Sequence, residues 1–568
     1  MTVNENAPSG RERVTGERPS NRFVVESRSG GLPMRTRRRG GWTLATALVL
    51  GIGLGPASGA MAGPGFDDAI RFLEQATFGP TPDLITHVQQ VGFEAFLDEQ
   101  FALPTPVFPQ LDNWPQNPPS TCTGTCLRDN YSMYPLQVGA FGAFLTSQHQ
   151  LRWRVTFALN QIFVVSAVDG NLRQPSRMLP YLQVLSNGAF GNFRQLLTDI
   201  TLNPAMARYL DTVNNNRASP NENYARELLQ LFSIGLNQLN PDGTLQLDGA
   251  GQPIPTYDQS TITAFARVFT GWVFAPARIT GVTNFIDPLV PGAANAHDTA
   301  AKTLLNGVTL PAGHDAATDL HDALDTVFAH LNVAPFVSTR LIQHLVTSNP
   351  SPAYVGRVAT VFRTTGGDMK SVVRAILLDP EARTAPVSGS PADAVYGHLR
   401  EPILWMTSFL RLFGPLVVTD YVLSDSFLPA GLQMGQDLFR APSVFNFYPS
   451  DYVVMGDSTL GPEFAIYATS TALARTNFAY QVLYKTMPTN ANRPVGTWID
   501  LSGLAPVASD PTGVVDALNQ FFLHGRMSPE MRNVILASVV AIPASNPLGR
   551  LRNAIYLLVT SPQYLVER

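Results

Sequence analysis

Through most of this chain the apolar residues return with a period close to 3.6, and runs of strict alternation are few. A stripe of that period is buried only by a helix packed against something else. Segments 320–330, 334–346, 354–363, 370–378, 400–413, 462–484, 514–522 and 529–540 carry it, as do the earlier 66–73, 81–91, 134–168 and 193–199. Within them, 151–163 reads as a buried helix with a polar stripe. Asn203-Pro204, Asp379-Pro380 and Ser561-Pro562 are cap-then-proline starts: the side chain takes a free amide, and proline sits where its missing N–H costs nothing. The 45 Pro and 44 Gly set many such boundaries. The expected fold is mainly α, a multi-helix globular protein with irregular loops and a small β-hairpin. The hairpin pairs 244–247 with 253–257 across Asp248-Gly249-Ala250-Gly251.

The most complete helix signals lie at 219–235. Ser219 is placed to cap, Pro220 to open, Glu222 to close a capping box, and Gly235 to end the helix in a left-handed turn. At 100° per residue, Tyr224, Leu228, Leu231, Phe232 and Gly235 share one face, and Glu222, Asn223, Arg226, Glu227 and Gln230 fill the other arc. Glu222 and Arg226 are spaced to pair, and so are Asn223 and Glu227. Glu227 borders the apolar edge. Arg226 and Glu227 are expected to point inward, with a partner for Glu227 from His297, Lys302 or Arg267, since an unpaired buried charge is costly.

Residues 1–33 are polar and read as an upstream extension or a disordered segment. Residues 34–62 read as a secretory signal peptide: Arg35 and Arg37-Arg38-Arg39, an apolar run over 42–54, then Ala60-Met61-Ala62. The run is shorter than the ~20 residues of a spanning helix. The mature chain would begin at Gly63, be exported to the periplasm or beyond the cell, and keep no integral membrane segment. The two cysteines, Cys122 and Cys126, flank a Gly-centred turn, and an oxidising compartment favours a disulfide between them. Residues 63–568 suffice for one large helical domain, with or without subdomains. A net charge of −4 leaves no basic field for nucleic acid.

Several stretches together resemble the bacterial domain-of-unknown-function 1800 family: Arg71 to Pro80, Tyr209-Leu210-Asp211, Asn221 to Leu228, Phe265 to Trp272, His297-Asp298 with Lys302, Gly435-Gln436-Asp437, and Phe445-Asn446-Phe447. The resemblance spans nearly the whole mature chain. It implies an exported, mostly helical protein and carries no activity with it. It also implies a partner by association, a secreted sulfatase- or phosphatase-like protein encoded nearby.

The polar residues that can converge give the candidate site. Glu227, His297 and Asp298 are the candidate catalytic residues; Asp211, Glu222, Asn223, Arg226, Arg267 and Lys302 are the candidate binding residues. A carboxylate beside a histidine suits a divalent metal or a tuned general base. The plainer alternative is a helix cap at Asp298 with His297 exposed. Tyr257 and Asp258 are further polar candidates. Asp242-Gly243-Thr244 and Asp248-Gly249 resemble calcium turns only loosely. His330 and His344 fall on long helices and read as packing residues. Phe439, Phe445, Phe447, Tyr448 and Tyr452 read as core, with stacking on a ligand or partner as the alternative. The chain holds no Gly-x-Ser-x-Gly elbow, Walker loop or His-Glu-x-x-His. Two functions remain open: an exported binding or partner protein of the cell envelope or medium, and a metal-assisted hydrolase with its site over 219–235.

Overall fold

The computed structural model describes residues 63–568 apart from 109–110, 112–113, 294, 385, 388, 415, 418–426, 486–496, 500, 502–503 and 505. Residues 1–62, read above as an extension and a signal peptide, lie outside the described residues. The protein is mainly α, and its strands are two residues long and pair in twos. The helix Gln150–Ile162 lies at the centre, with residues 150–161 all buried. Pro175–Gly188, Tyr134–Thr146 and Val333–Leu345 pack around it. Val333–Leu345 also packs on Pro352–Thr364, which in turn meets Met369–Leu378. Near the C-terminus, Pro511–Leu523, Pro529–Val540 and Pro547–Val559 form a mutually packed trio, and Phe66–Ala76 leans on the first of them. Strand His398–Leu399 pairs antiparallel with Val566–Glu567, which draws the chain end into the core. No helix among the described residues is long and apolar enough to cross a membrane.

The start signals work as read. Asn203 accepts from the amides of Ala205 and Met206, Asp379 from Glu381, and Ser561 from Tyr564. The hairpin forms as isolated bridges, Leu247 to Pro253 and Asn237 to Pro255, joined by a third leg at Leu239 and Leu245. Its aspartates are turn residues: Asp242 accepts from the amide and hydroxyl of Thr244, and Asp248 from the amides of Ala250 and Gln252. Cys122 and Cys126 are bridged, with Cα atoms 5.2 Å apart. Two long predicted helices divide. Segment 134–168 breaks between Thr146 and Gln150 and ends at Ile162, and 462–484 becomes a short 3₁₀ turn before Thr469–Tyr484.

The central helix differs from its reading. It begins at Asn223 rather than just after Ser219, and Leu228–Ser233 is a π-helix. Ser219 is exposed and bridges back to Asn216. The Asn221 side chain takes the Asn223 amide. Glu222 cannot close a capping box because its carboxylate is taken by two distant groups, Gln259 Nε2 at 2.9 Å and Thr263 Oγ1 at 2.9 Å, and by its expected neighbour Arg226 at 2.7 Å. The wider π turn advances each residue by less than 100°. Leu229 therefore rotates into the core, and Leu231 is left only half-buried. Gly235 does end the helix, at φ +73°; a Cβ there would stand 2.9 Å from the Phe336 ring.

Candidate functional site

The residues singled out in the sequence fall into three separate groups. The first is a knot under the loop 297–302. Arg267 grips Asp298 with two hydrogen bonds of 2.7 and 3.1 Å, which holds that carboxyl near 2. His297 is buried rather than exposed. It sets Nδ1 2.9 Å from the Thr270 carbonyl and Nε2 3.0 Å from Asp319 Oδ2. Lys302 reaches the same Asp319 oxygen at 2.6 Å. Burial would lift the Asp319 carboxyl, but the His297 and Lys302 contacts outweigh it and keep the group below its usual range. Gly271 makes the close approach possible: at φ +86°, a Cβ would meet the His297 backbone at 2.9 Å. Asp319 had no sequence signal beyond its place in a helical stripe.

The second group is exposed. Asn223 donates to Asp211 at 3.1 Å, and Arg226, with 42% of its side chain exposed, pairs with Glu222. Arg226 thus points outward, contrary to the reading, because Glu222 and Gln259 hold its guanidinium at the surface.

Glu227 stands apart from both. It is half-buried, and its Oε2 has no hydrogen-bond partner. The expected distant cation is absent: His297 and Lys302 are spent on Asp319, and Arg267 on Asp298. Burial raises the Glu227 carboxyl, against a smaller pull from Arg226. Its charge adds to burial in raising the Tyr209 and Tyr257 phenols to about 12. An acid whose folded-state pKa is raised costs stability once pH rises above its unfolded value. Glu227→Gln is therefore expected to unfold within about 1 kcal/mol of wild type at pH 7.5, on the more stable side, with the gain gone at pH 4. Urea titrations at the two pH values measure this. A loss near 3 kcal/mol would instead show a partnered charge.

A larger polar assembly was not foreseen. Arg400, fully buried, donates to Glu74 at 2.8 Å, to Glu567 at 3.2 Å and to the Tyr564 carbonyl at 2.9 Å. His398 lies between Glu463 and Glu567, 3.5 Å from each. Burial would lower the imidazole, but these carboxylates outweigh it and lift it to about 10. Glu401 accepts from Gln161 at 3.2 Å, from Tyr448 at 2.8 Å and from Gln436. Asn446, left-handed at φ +66°, brings its amide to Gln161 at 2.9 Å. Arg154 is wholly buried and donates to the His344 carbonyl. Arg475, also buried, donates to the Arg400 carbonyl at 2.8 Å. Four carboxylates (Glu74, Glu401, Glu463, Glu567) thus share this buried region with Arg154, Arg400, Arg475 and a cationic His398.

The assembly opens into a cleft of about 250 Å³. The π turn supplies Gln230 and Leu231, and the helix Val333–Leu345 supplies Phe336, Arg340 and His344. Phe445, Asp451 and Glu463 complete the wall. Phe445, read as core, is 49% exposed here, and His344, read as packing, is a wall residue. Burial, with the nearby Arg154, Arg340 and His398, pushes His344 down to about 3, so its imidazole is neutral across the physiological range. The sequence hint was the polar stripe of 151–163, which runs from Arg154 to Gln161. None of the candidate catalytic residues (Glu227, His297, Asp298) or candidate binding residues (Asp211, Glu222, Asn223, Arg226, Arg267, Lys302) lines the cleft. Elsewhere among the described residues, His321, Asp322 and Asp325 bring ligand atoms within 4.8 Å of one another on a solvent-facing helix.

A family model described as "Protein of unknown function (DUF1800)" matches residues 71–566. The chain belongs to this family. No curated protein and no solved structure matches it. Family membership bears out the resemblance, and the resembling stretches supply some of the polar groups described above. Arg71 to Pro80 supplies Glu74, Phe265 to Trp272 supplies Arg267 and Thr270, and the two late stretches supply Gln436 and Asn446.

Proposed function

We propose that this member of the family is an exported binding protein of the cell envelope or medium, and that its ligand seats in the cleft at the π turn. One observation carries the reading. Arg340 lines the cleft and spends one hydrogen bond on Gln343, which leaves most of its guanidinium N–H groups for a ligand. π turns also recur at functional sites. The Cys122–Cys126 bridge and the charged, apolar, small-residue order of 34–62 support export. A metal-assisted hydrolase built on Glu227, His297 and Asp298 has less support, since His297 and Asp298 are each committed to a buried or bidentate partner.

The test uses the full chain in its native host. Fractionation and intact mass should recover it outside the cytoplasm, beginning at Gly63; cytoplasmic protein that keeps residues 34–62 would overturn export. A thermal-shift panel of small polar metabolites should then contain a class that raises the melting temperature of wild type but not of Leu231→Trp, in which the indole fills the cleft. A panel with no such class would overturn the binding reading.

A further inference from the structure

We infer that the cleft takes a small organic monocarboxylate with an apolar tail, its carboxylate gripped by the Nε–Nη2 edge of Arg340. This rests on the binding reading above and adds the ligand's chemistry.

Arginines of this chain hold carboxylates in one recurring way. Arg267 donates Nε and Nη2 to the two oxygens of Asp298, Arg357 does the same to Asp379, and Arg532 to Asp516. Arg340 presents the same edge with no carboxylate in it. It spends Nη1 on Gln343; among the described residues its Nε and Nη2 have no hydrogen-bond partner, and the side chain enters no ion pair. Neither nitrogen is sealed off from water, and the side chain lines the cleft. The guanidinium lies 5.1 Å over the Phe336 ring, which fixes the plane of the fork. Burial outweighs the pull of Asp451 and brings the group down to about 10. At neutral pH it is therefore a partly desolvated cation without a close counter-charge.

The rest of the wall selects the ligand. Phe336, Arg340 and His344 are spaced four apart on the helix Val333–Leu345 and share one stripe of it. Neither ring nitrogen of His344 is bonded among the described residues, and its neutral imidazole offers an N–H one turn beyond the fork. Among the described residues Arg340 is the one arginine or lysine of the wall, and Asp451 and Glu463 stand on the same wall. A second negative charge on the ligand would find no second cation and two like charges, which excludes phosphate and dicarboxylates. Leu231, Leu236, Val444 and Phe445 supply an apolar side, where Leu236 is 54% and Phe445 49% exposed. A tail lying there would cover them. The room suffices: the cleft holds about 250 Å³, against the roughly 150 Å³ of an apolar cavity that admits benzene, and a folded partner does not fit.

The test is isothermal calorimetry on the protein purified from its native host, with butyrate, hexanoate, benzoate and phenylacetate, each beside its primary amide. At least one acid should bind, with its amide weaker by roughly tenfold or more. Arg340→Gln should weaken that acid by about tenfold or more, and Arg340→Lys, which keeps the charge but not the fork, should fall between. Leu231→Trp, which alters no charge, should block binding, and it serves should the Arg340 variants misfold. An amide within about threefold of its acid, or a folded Arg340→Gln that binds as wild type does, would overturn the inference. So would inorganic phosphate, succinate or an acetylated tripeptide ending in leucine that binds more tightly than every free acid, or binding confined to ligands of other chemistry. Where Leu231→Trp blocks that binding, the cleft stands as a binding site. No ligand that Leu231→Trp blocks, in this series or among the metabolites, would overturn both.

Discussion

Arg400→Ala is expected to lower the unfolding free energy by roughly 3–5 kcal/mol, the largest effect of any single charge in the molecule. The guanidinium is 2% exposed and joins two distant parts of the chain: Glu74 near the start, and Tyr564 with Glu567 at the end. Truncation leaves Glu74 buried without its guanidinium and Glu567 with His398 alone. Glu74 must then hold an uncompensated charge in a low dielectric or take up a proton. His524 Nε2 lies 3.0 Å from Glu74 but at an angle that makes no hydrogen bond, so it is a poor substitute. The cation also lies 4.8 Å over the Tyr564 ring, a contact that Arg400→Lys would keep only in part. Urea denaturation followed by circular dichroism measures the loss, with exposed Arg363→Ala as the control near zero. A loss below about 1 kcal/mol would show that the carboxylates find water or other partners once Arg400 is gone.

The second large effect is a two-sided dependence of stability on pH. Glu567 is held near 2 because His398 and Arg400 outweigh its burial, and His398 is lifted to about 10 because Glu567 and Glu463 outweigh its own. The signs differ. The Glu567 contribution is present above its unfolded value of 4.5 and is lost as pH falls toward 2. The His398 contribution is complete below its unfolded value of 6.5 and is lost as pH rises toward 10. Stability from this pair should be highest between about pH 4.5 and 6.5 and fall on both sides, by roughly 3 kcal/mol across the alkaline arm. His398→Gln should flatten that arm while leaving much of the acid arm, where Arg400 still faces Glu567. Urea midpoints from pH 3 to 10 provide the comparison. An alkaline arm identical in wild type and His398→Gln would assign it to other groups.

The stretches that carry the family resemblance gain a physical meaning in this light. Glu74, Gln436 and Asn446 look unremarkable in the sequence, yet each completes a buried contact with a residue far away in the chain. Glu401 and Glu463 carried no signal at all, and Arg154 none beyond the polar stripe of its helix, because nothing local marks a charged residue whose partners lie on other helices. The aromatic run around 440–452 shows the same limit: Tyr448 is buried and Phe445 half-exposed, both line the cleft, and no period separates them.

What this sequence determined by itself is the set of local decisions. The helical periods, the capping by Asn203, Asp379 and Ser561, the left-handed stop at Gly235 and the Cys122–Cys126 turn all depend on neighbours within a few residues, and they formed as read. Tertiary structure decided everything that needed a distant group. Gln259 and Thr263 took Glu222 from its capping box and moved the start of the central helix. Packing against Val333–Leu345 accompanies the π turn that gives Leu231 to the cleft. Asp319 claimed both His297 and Lys302, which left Glu227 without a cation. The physical reason is the same in each case. A charged or polar side chain settles where its desolvation is best answered, and in a chain with only 14% charged residues the answer lies on another helix.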